Sequence, residues 1–198
     1  TYGLLSTGRN TDKDEPFSYN HTTGTFDTVS GVTNANTPTR QSTSGAWTPP
    51  TMAVIGTRII VTHPGFPGGA TKFGNFDIST VGSPAWAAGD LATNPLASTP
   101  TAVANFGNRA YFAAGQILAY TDVLDPLTRT LASQQLTIGD TNSITALSGL
   151  PVQTTSSGVV QALMVFKDFQ VWQVTGDDVG STLAINFLSL TCGCSAPR

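Results

Sequence analysis

Apolar positions in this chain come in short runs or alternate with polar ones, and Gly, Asn, Asp and Pro break the runs. Successive side chains of a strand point to opposite faces of its sheet, so this pattern predicts β-structure throughout. No segment longer than about a dozen residues holds a helical period without a Gly, Pro or β-branched interruption. The one short helix the pattern suggests is Pro84–Leu91, with Trp86 and Leu91 facing inward.

The strand segments recur in one order. Thr51-Met-Ala-Val-Ile leads through Gly56-Thr57-Arg58 to Ile59-Ile-Val-Thr-His63, and then to Lys72-Phe-Gly-Asn-Phe-Asp77. Thr101-Ala-Val-Ala-Asn-Phe106 leads through Gly107-Asn108-Arg109 to Ala110-Tyr-Phe-Ala-Ala114, and then to Gln116-Ile-Leu-Ala-Tyr-Thr-Asp122. A third copy is read as Gln161–Phe166, the turn Lys167-Asp168, Phe169–Val174 and Leu183–Leu188. A weaker first copy has Tyr2–Leu5, Gly8-Arg9, Phe17–Asn20 and Thr25–Val29. With Arg9, Arg58, Arg109 and Phe169 as markers, the separations are 49 (58 − 9), 51 (109 − 58) and 60 (169 − 109) residues. A period near this value with three or four strands per unit is the mark of β-propeller blades. The expectation is an all-β, β-propeller-like array of three- to four-stranded antiparallel blades in one domain, 1–198, with approximate repeats 1–47, 48–98, 99–150 and 151–198. Two polar stretches, 34–50 and 151–158, are expected as loops at its rim.

Composition narrows the function. Charged residues make up 11% of the chain, against about 25% in an average globular domain, and Thr, Ser, Asn and Gly replace them. Low charge fits a surface that neighbours will cover. The net charge of −3 lacks the basic excess of a general nucleic-acid or anionic-membrane binder. A protein lining a DNA channel need not be basic, because DNA has to slide past it. No run approaches the ~18 apolar residues of a membrane-spanning helix, and the start at Thr1 is not a signal peptide. The chain is expected to be processed or cut from something longer.

Candidate chemistry is sparse. Cys192 and Cys194 supply two of the four ligands of a structural zinc site and would close a strained ring as a disulfide, so two reduced thiols are expected. Asn10-Thr-Asp12-Lys-Asp14-Glu15 resembles half a calcium loop but lacks its Gly and terminal Glu, so a solvated turn is expected. Asp122 and Asp125 are read as turn caps rather than an acid/base pair, and Asp177-Asp178 as a hairpin turn. His63 has no acidic neighbour in sequence, and no Gly-x-Ser-x-Gly elbow appears. Arg9, Arg58 and Arg109 read either as a ring of guanidinium groups facing DNA or, preferably, as turn residues bonded to carbonyls or to Asp77 and Asp122 of their own unit. No catalytic, cofactor or metal residue is assigned.

Several of these runs resemble a family. Asn105–Gly115, Tyr120-Thr-Asp122, Leu136–Asp140 and Ile144-Thr-Ala146 look like a repeat from propeller-containing tail proteins of tailed bacteriophages. So do Leu163–Asp177, the closing Cys192-Gly-Cys-Ser-Ala-Pro-Arg198 and the segment Thr48–Asp77, so the likeness spans residues 48–198. That family includes packaged-DNA stabilisation, tail-hub and nozzle proteins of short-tailed phages. The resemblance implies a structural role in the virion tail, a homo-oligomeric ring around the DNA exit channel, contact with adaptor, portal and neighbouring tail proteins, no catalysis and no cofactor. Family propellers are usually parts of longer chains, and four units are few for a closed circle, so an incomplete propeller, or one closed by another chain, is expected. The alternative is a receptor- or glycan-binding β-domain of a tail fibre or secreted lectin-like propeller, with Trp47, Trp86 and Trp172 stacking on sugars.

Overall fold

The computed structural model describes residues 1–5, 13–39, 49–80, 83–155, 158–176, 183–191 and 193. Arg9, Asp12, Trp47, Asp177, Asp178, Cys192 and Cys194 lie outside them. Among the described residues there is no helix, and the strands form four antiparallel sheets in chain order and one two-stranded parallel sheet. The first holds β1 (Tyr2–Leu5), β2 (Glu15–Asn20) and β3 (Thr25–Asp27). The second holds β4 (Thr51–Ile55), β5 (Arg58–Thr62), β6 (Phe73–Asp77) and β7 (Ala85–Gly89). After β8 (Ala92–Thr93), the third holds β9 (Ala102–Phe106), β10 (Arg109–Ala114), β11 (Ile117–Tyr120) and, past β12 (Thr128–Arg129), β13 (Gln135–Thr137). The fourth holds β14 (Ala146–Thr155), β15 (Gly158–Phe166), β16 (Val171–Thr175) and β17 (Ala184–Ser189).

Turn chemistry explains the hairpins. Gly107 and Asn108 both take positive φ, 57° and 58°, between the paired Phe106 and Arg109. This is the type I′ pattern, whose twist matches the strands it joins. Gly56 alone is positive, at 57°, in the Gly56-Thr57 turn between Ile55 and Arg58, as type II′ requires.

The sheets pack face to face, and each contact is a separate core. Tyr2 and Leu4 of β1 lie against Ile59, Val61, Phe76 and Trp86 of the second sheet, with Tyr2 and Phe76 rings 5.3 Å apart. The other face of the second sheet, Ala53, Ile55, Ile60 and Phe73, meets Val103, Ala110, Phe112 and Ala119 of the third. The remaining face of the third, Ala104, Phe106, Tyr111, Ala113, Leu118 and Tyr120, meets Leu163, Val165 and Val174 of the fourth. Alternation makes this possible. All six residues of β10 are buried, Ala110 and Phe112 on one side and Tyr111 and Ala113 on the other. The first strands β4, β9 and β14 are each an edge strand of their sheet, and β9 neighbours both β4 and β14.

Connecting segments add parallel pairings between consecutive units. Ser30 bridges Ala85 of β7, and β8 pairs with β12. In the first case the segment leaving the first sheet pairs with the last strand of the second; in the second, β8 pairs with β12 in the β11–β13 connection of the third.

Three expectations are corrected. Pro84–Leu91 contains a strand, not a helix. β7 pairs with β6 from Phe73↔Gly89 to Asp77↔Ala85, and Trp86 is buried between Phe76 and Phe66. Tertiary pairing here overrides a weak local signal. Second, 151–158 is not wholly a loop: Pro151–Thr155 belong to β14 and Gly158 begins β15, so the fourth sheet starts at Ala146. Third, Phe169 is not the equivalent of Arg109. Its hairpin joins the second and third strands of its sheet, β15 and β16, whereas Arg58 and Arg109 open the second strands. The structural equivalent is Gly158, which gives spacings of 51 (109 − 58) and 49 (158 − 109) residues. The irregular interval of 60 came from aligning the wrong hairpin.

Candidate functional site

Of the cations singled out in the sequence, Arg58 and Arg109 are held within their own sheets, and Arg9 lies outside the described residues. Arg58 donates to Asn75 Oδ1 at 2.8 Å and lies 3.1 Å from Asp77. Arg109, buried, donates to the Thr121 carbonyl at 2.6 Å. Asp122 accepts from Gln134 Nε2 at 2.7 Å and from the Thr130 hydroxyl. Burial alone would raise its pKa, but the Thr130 and Gln134 hydrogen bonds and the Arg109 charge together hold it below the ordinary carboxylate value. Asp125 accepts from the Leu127 amide and bridges Asp122 through the backbone. Both carboxylates therefore organise one turn. Arg58 and Arg109 have the intra-unit arrangement, the preferred of the two sequence readings, rather than standing free toward a DNA channel.

Sequence reading missed three buried polar groups that tie sheets together. Lys72 donates to Asp90 and to the Leu96 carbonyl in the connection to the third sheet. Lys167 does the same one unit later, bonding Asp140 Oδ1 at 2.8 Å and the carbonyls of Ile138 and Asp140. His63 is buried with its Nε2 3.6 Å from Asp14 of the first unit. The Gly65 amide donates to its Nδ1 at 2.9 Å, so the neutral ring carries its proton on Nε2, toward Asp14. Burial pushes the His63 pKa below 6.5, and the Asp14 charge opposes this only in part. The partners are 49 residues apart (63 − 14), so no local pattern could reveal them.

Among the described residues, two surfaces stand out for ligands or partners. The neighbouring edge strands β4, β9 and β14 expose Val54, Asn105 and Leu150, with Asn105 donating to the Val54 carbonyl at 2.7 Å. None of the three carries charge. At the first sheet, a cleft of about 590 Å³ is lined by Phe17, Phe26, Glu15, Asp27, Val32 and Asn34, among others. The Phe17 and Phe26 rings meet edge to face at 5.8 Å. Asp27 accepts from Ser18 at 2.8 Å.

Of the tryptophans expected to stack on sugars, Trp86 and Trp172 are otherwise engaged, and Trp47 lies outside the described residues. Trp86 is buried and donates to the Asn36 carbonyl, which corrects its reading as an exposed platform. Trp172 is half-buried against the third core and packs on Phe187. Among the described residues no three of His, Cys, Asp and Glu converge as a metal site, and no helix is long and apolar enough to cross a membrane. No family model matches the chain, and no curated protein and no solved structure matches it.

Proposed function

We propose that this chain is a non-catalytic structural protein of a bacteriophage tail or neck. Its sheets act as propeller blades, with β4, β9 and β14 innermost, in a ring around the DNA exit channel. The observation that carries this reading is the division of polar groups. Buried or paired cations (Arg58, Lys72, Arg109, Lys167) are engaged inside or between sheets, while the edge strands β4 and β9 expose uncharged Val54 and Asn105. A neutral lining lets DNA pass without the counterion release that fixes a binding protein on it. Face-to-face sheets with adjacent first strands and a period near fifty residues support the propeller. The family resemblance of residues 48–198 supplies the virion setting.

The test is immunogold labelling and negative-stain microscopy of purified virions with an antibody to this chain. Label at the tail vertex is expected, and absence of the chain from virions removes the proposal.

A second reading, a receptor- or glycan-binding domain, has one observation in its favour. The cleft beside Phe26 combines exposed aromatic rings with Glu15 and Asp27, the groups that stack on a sugar ring and accept from its hydroxyls. Glycan-array binding lost on Phe26→Ala would select it.

A further inference from the structure

The two terminal faces of the sheet stack carry the same kind of side chain as the faces buried inside it. On the first sheet, Tyr2 and Leu4 face the second sheet. The opposite face carries Phe17 and Tyr19 with Phe26, the two outer rings lying 5.8 and 5.3 Å from the Phe26 ring. Gly3 leaves room for this cluster, since a Cβ there would stand 2.6 Å from the Phe17 ring. Phe26 is 64% exposed. On the fourth sheet, Leu163, Val165 and Val174 face the third. Register places Leu150 opposite Ala162, and Phe166 opposite both Ala146 and Val171, on the other face. Leu150 is 45% exposed, and Met164, Phe166 and Val171 are half-buried.

We infer that the aromatic face of the first sheet docks on the aliphatic face of the fourth sheet of a second copy, so that two copies continue one stack head to tail. Resting on the propeller reading above, this names the partner of the ring. The occupant follows from continuity. Each internal contact joins one apolar sheet face to the apolar face of the next unit, and the terminal faces are the two halves of a contact of that kind. Solvent exposure of Phe26 and Leu150 means that the chain does not close on itself through them. Two copies related by a two-fold axis form the contact twice and bring eight sheets round one axis, within the ~4–8 blades that propellers use.

The test is the mass of the purified chain in solution, by light scattering and sedimentation at tens of micromolar. The expected species is a dimer, twice the 20.6 kDa of one chain. Phe26→Asp and Leu150→Asp each change an exposed side chain, so each variant keeps its circular dichroism spectrum and a cooperative melt while becoming monomeric, its midpoint no longer rising with protein concentration. Mixing the two restores association, because one of the two contacts then joins an unaltered first sheet to an unaltered fourth sheet. A wild-type monomer overturns the proposal, as does a dimer that survives both substitutions or variants that fail to complement. The measurement is independent of virion labelling. A monomer from labelled virions removes the contact alone, and a complementing dimer absent from virions removes the tail role alone.

Discussion

The Lys167 ammonium group, 1% exposed, lies 2.8 Å from Asp140 Oδ1 and also bonds the carbonyls of Ile138 and Asp140. One side chain from the β15–β16 turn thus fastens the connection that enters the fourth sheet. Lys72, Asp90 and the Leu96 carbonyl repeat the arrangement between the second and third sheets. A lysine suits the position, because its ammonium carries three donors, which at Lys167 meet two carbonyls and a carboxylate and at Lys72 a carbonyl and a carboxylate.

Lys167→Met therefore leaves those carbonyls without a donor. A loss of about 1–3 kcal/mol in urea unfolding is expected. Asp140→Asn, at a solvent-exposed carboxylate whose charge water screens, has a smaller effect. An equal loss for the two variants contradicts the assignment of the bond energy to the buried carbonyls.

Arg58 and Arg109 occupy the same position in their hairpins but differ in burial. Arg58 is partly exposed beside Asp77, and Arg58→Met costs under about 1 kcal/mol, as surface pairs do. Arg109 is 6% exposed, and Arg109→Met costs about 1–3 kcal/mol by stripping the Thr121 carbonyl and Asp122 of their partner. Chemical denaturation of both variants at neutral pH checks the order.

Stability falls on acidification in two separate windows. His63 has a folded pKa below its unfolded 6.5. Below pH 6.5 the unfolded chain takes up a proton that the folded chain refuses, so stability drops as pH falls until the folded pKa is reached. The slope is at most about 1.4 kcal/mol per pH unit. His63→Gln flattens that window in urea titrations at pH 7.5 and 5.5. Asp77, Asp122 and Asp140 are held below 3.8, so their contribution persists at pH 5.5 and is lost only as pH falls below 3.8.

Gly74 is required by packing. A Cβ there would stand 2.1 Å from the Trp86 ring, and Gly74→Ala forces that ring out of the core between the first and second sheets. A destabilisation of about 1–3 kcal/mol is expected, with a lowered thermal midpoint. Gly56→Ala meets no neighbouring atom within 4 Å and loses only the positive-φ preference of its turn, so its cost is smaller.

The chain's local patterns determined much of the fold. Alternation and turn residues identified β4, β5, β9 and β10 and their hairpins, because a two-residue turn and its strands are specified by adjacent side chains. The spacing near fifty residues followed from repeating that unit. Tertiary structure decided what depends on distant partners. β7 is a strand because β6 offers it an edge and the core takes Trp86. The frame of the fourth unit is set by β14 lying beside β9, a relation its polar Thr154 and Thr155 do not announce. The polar groups that join units, Asp14 with His63 and Asp140 with Lys167, come from segments 49 (63 − 14) and 27 (167 − 140) residues apart. Their meeting is fixed by sheet stacking, which a periodic sequence makes possible and only the folded chain specifies.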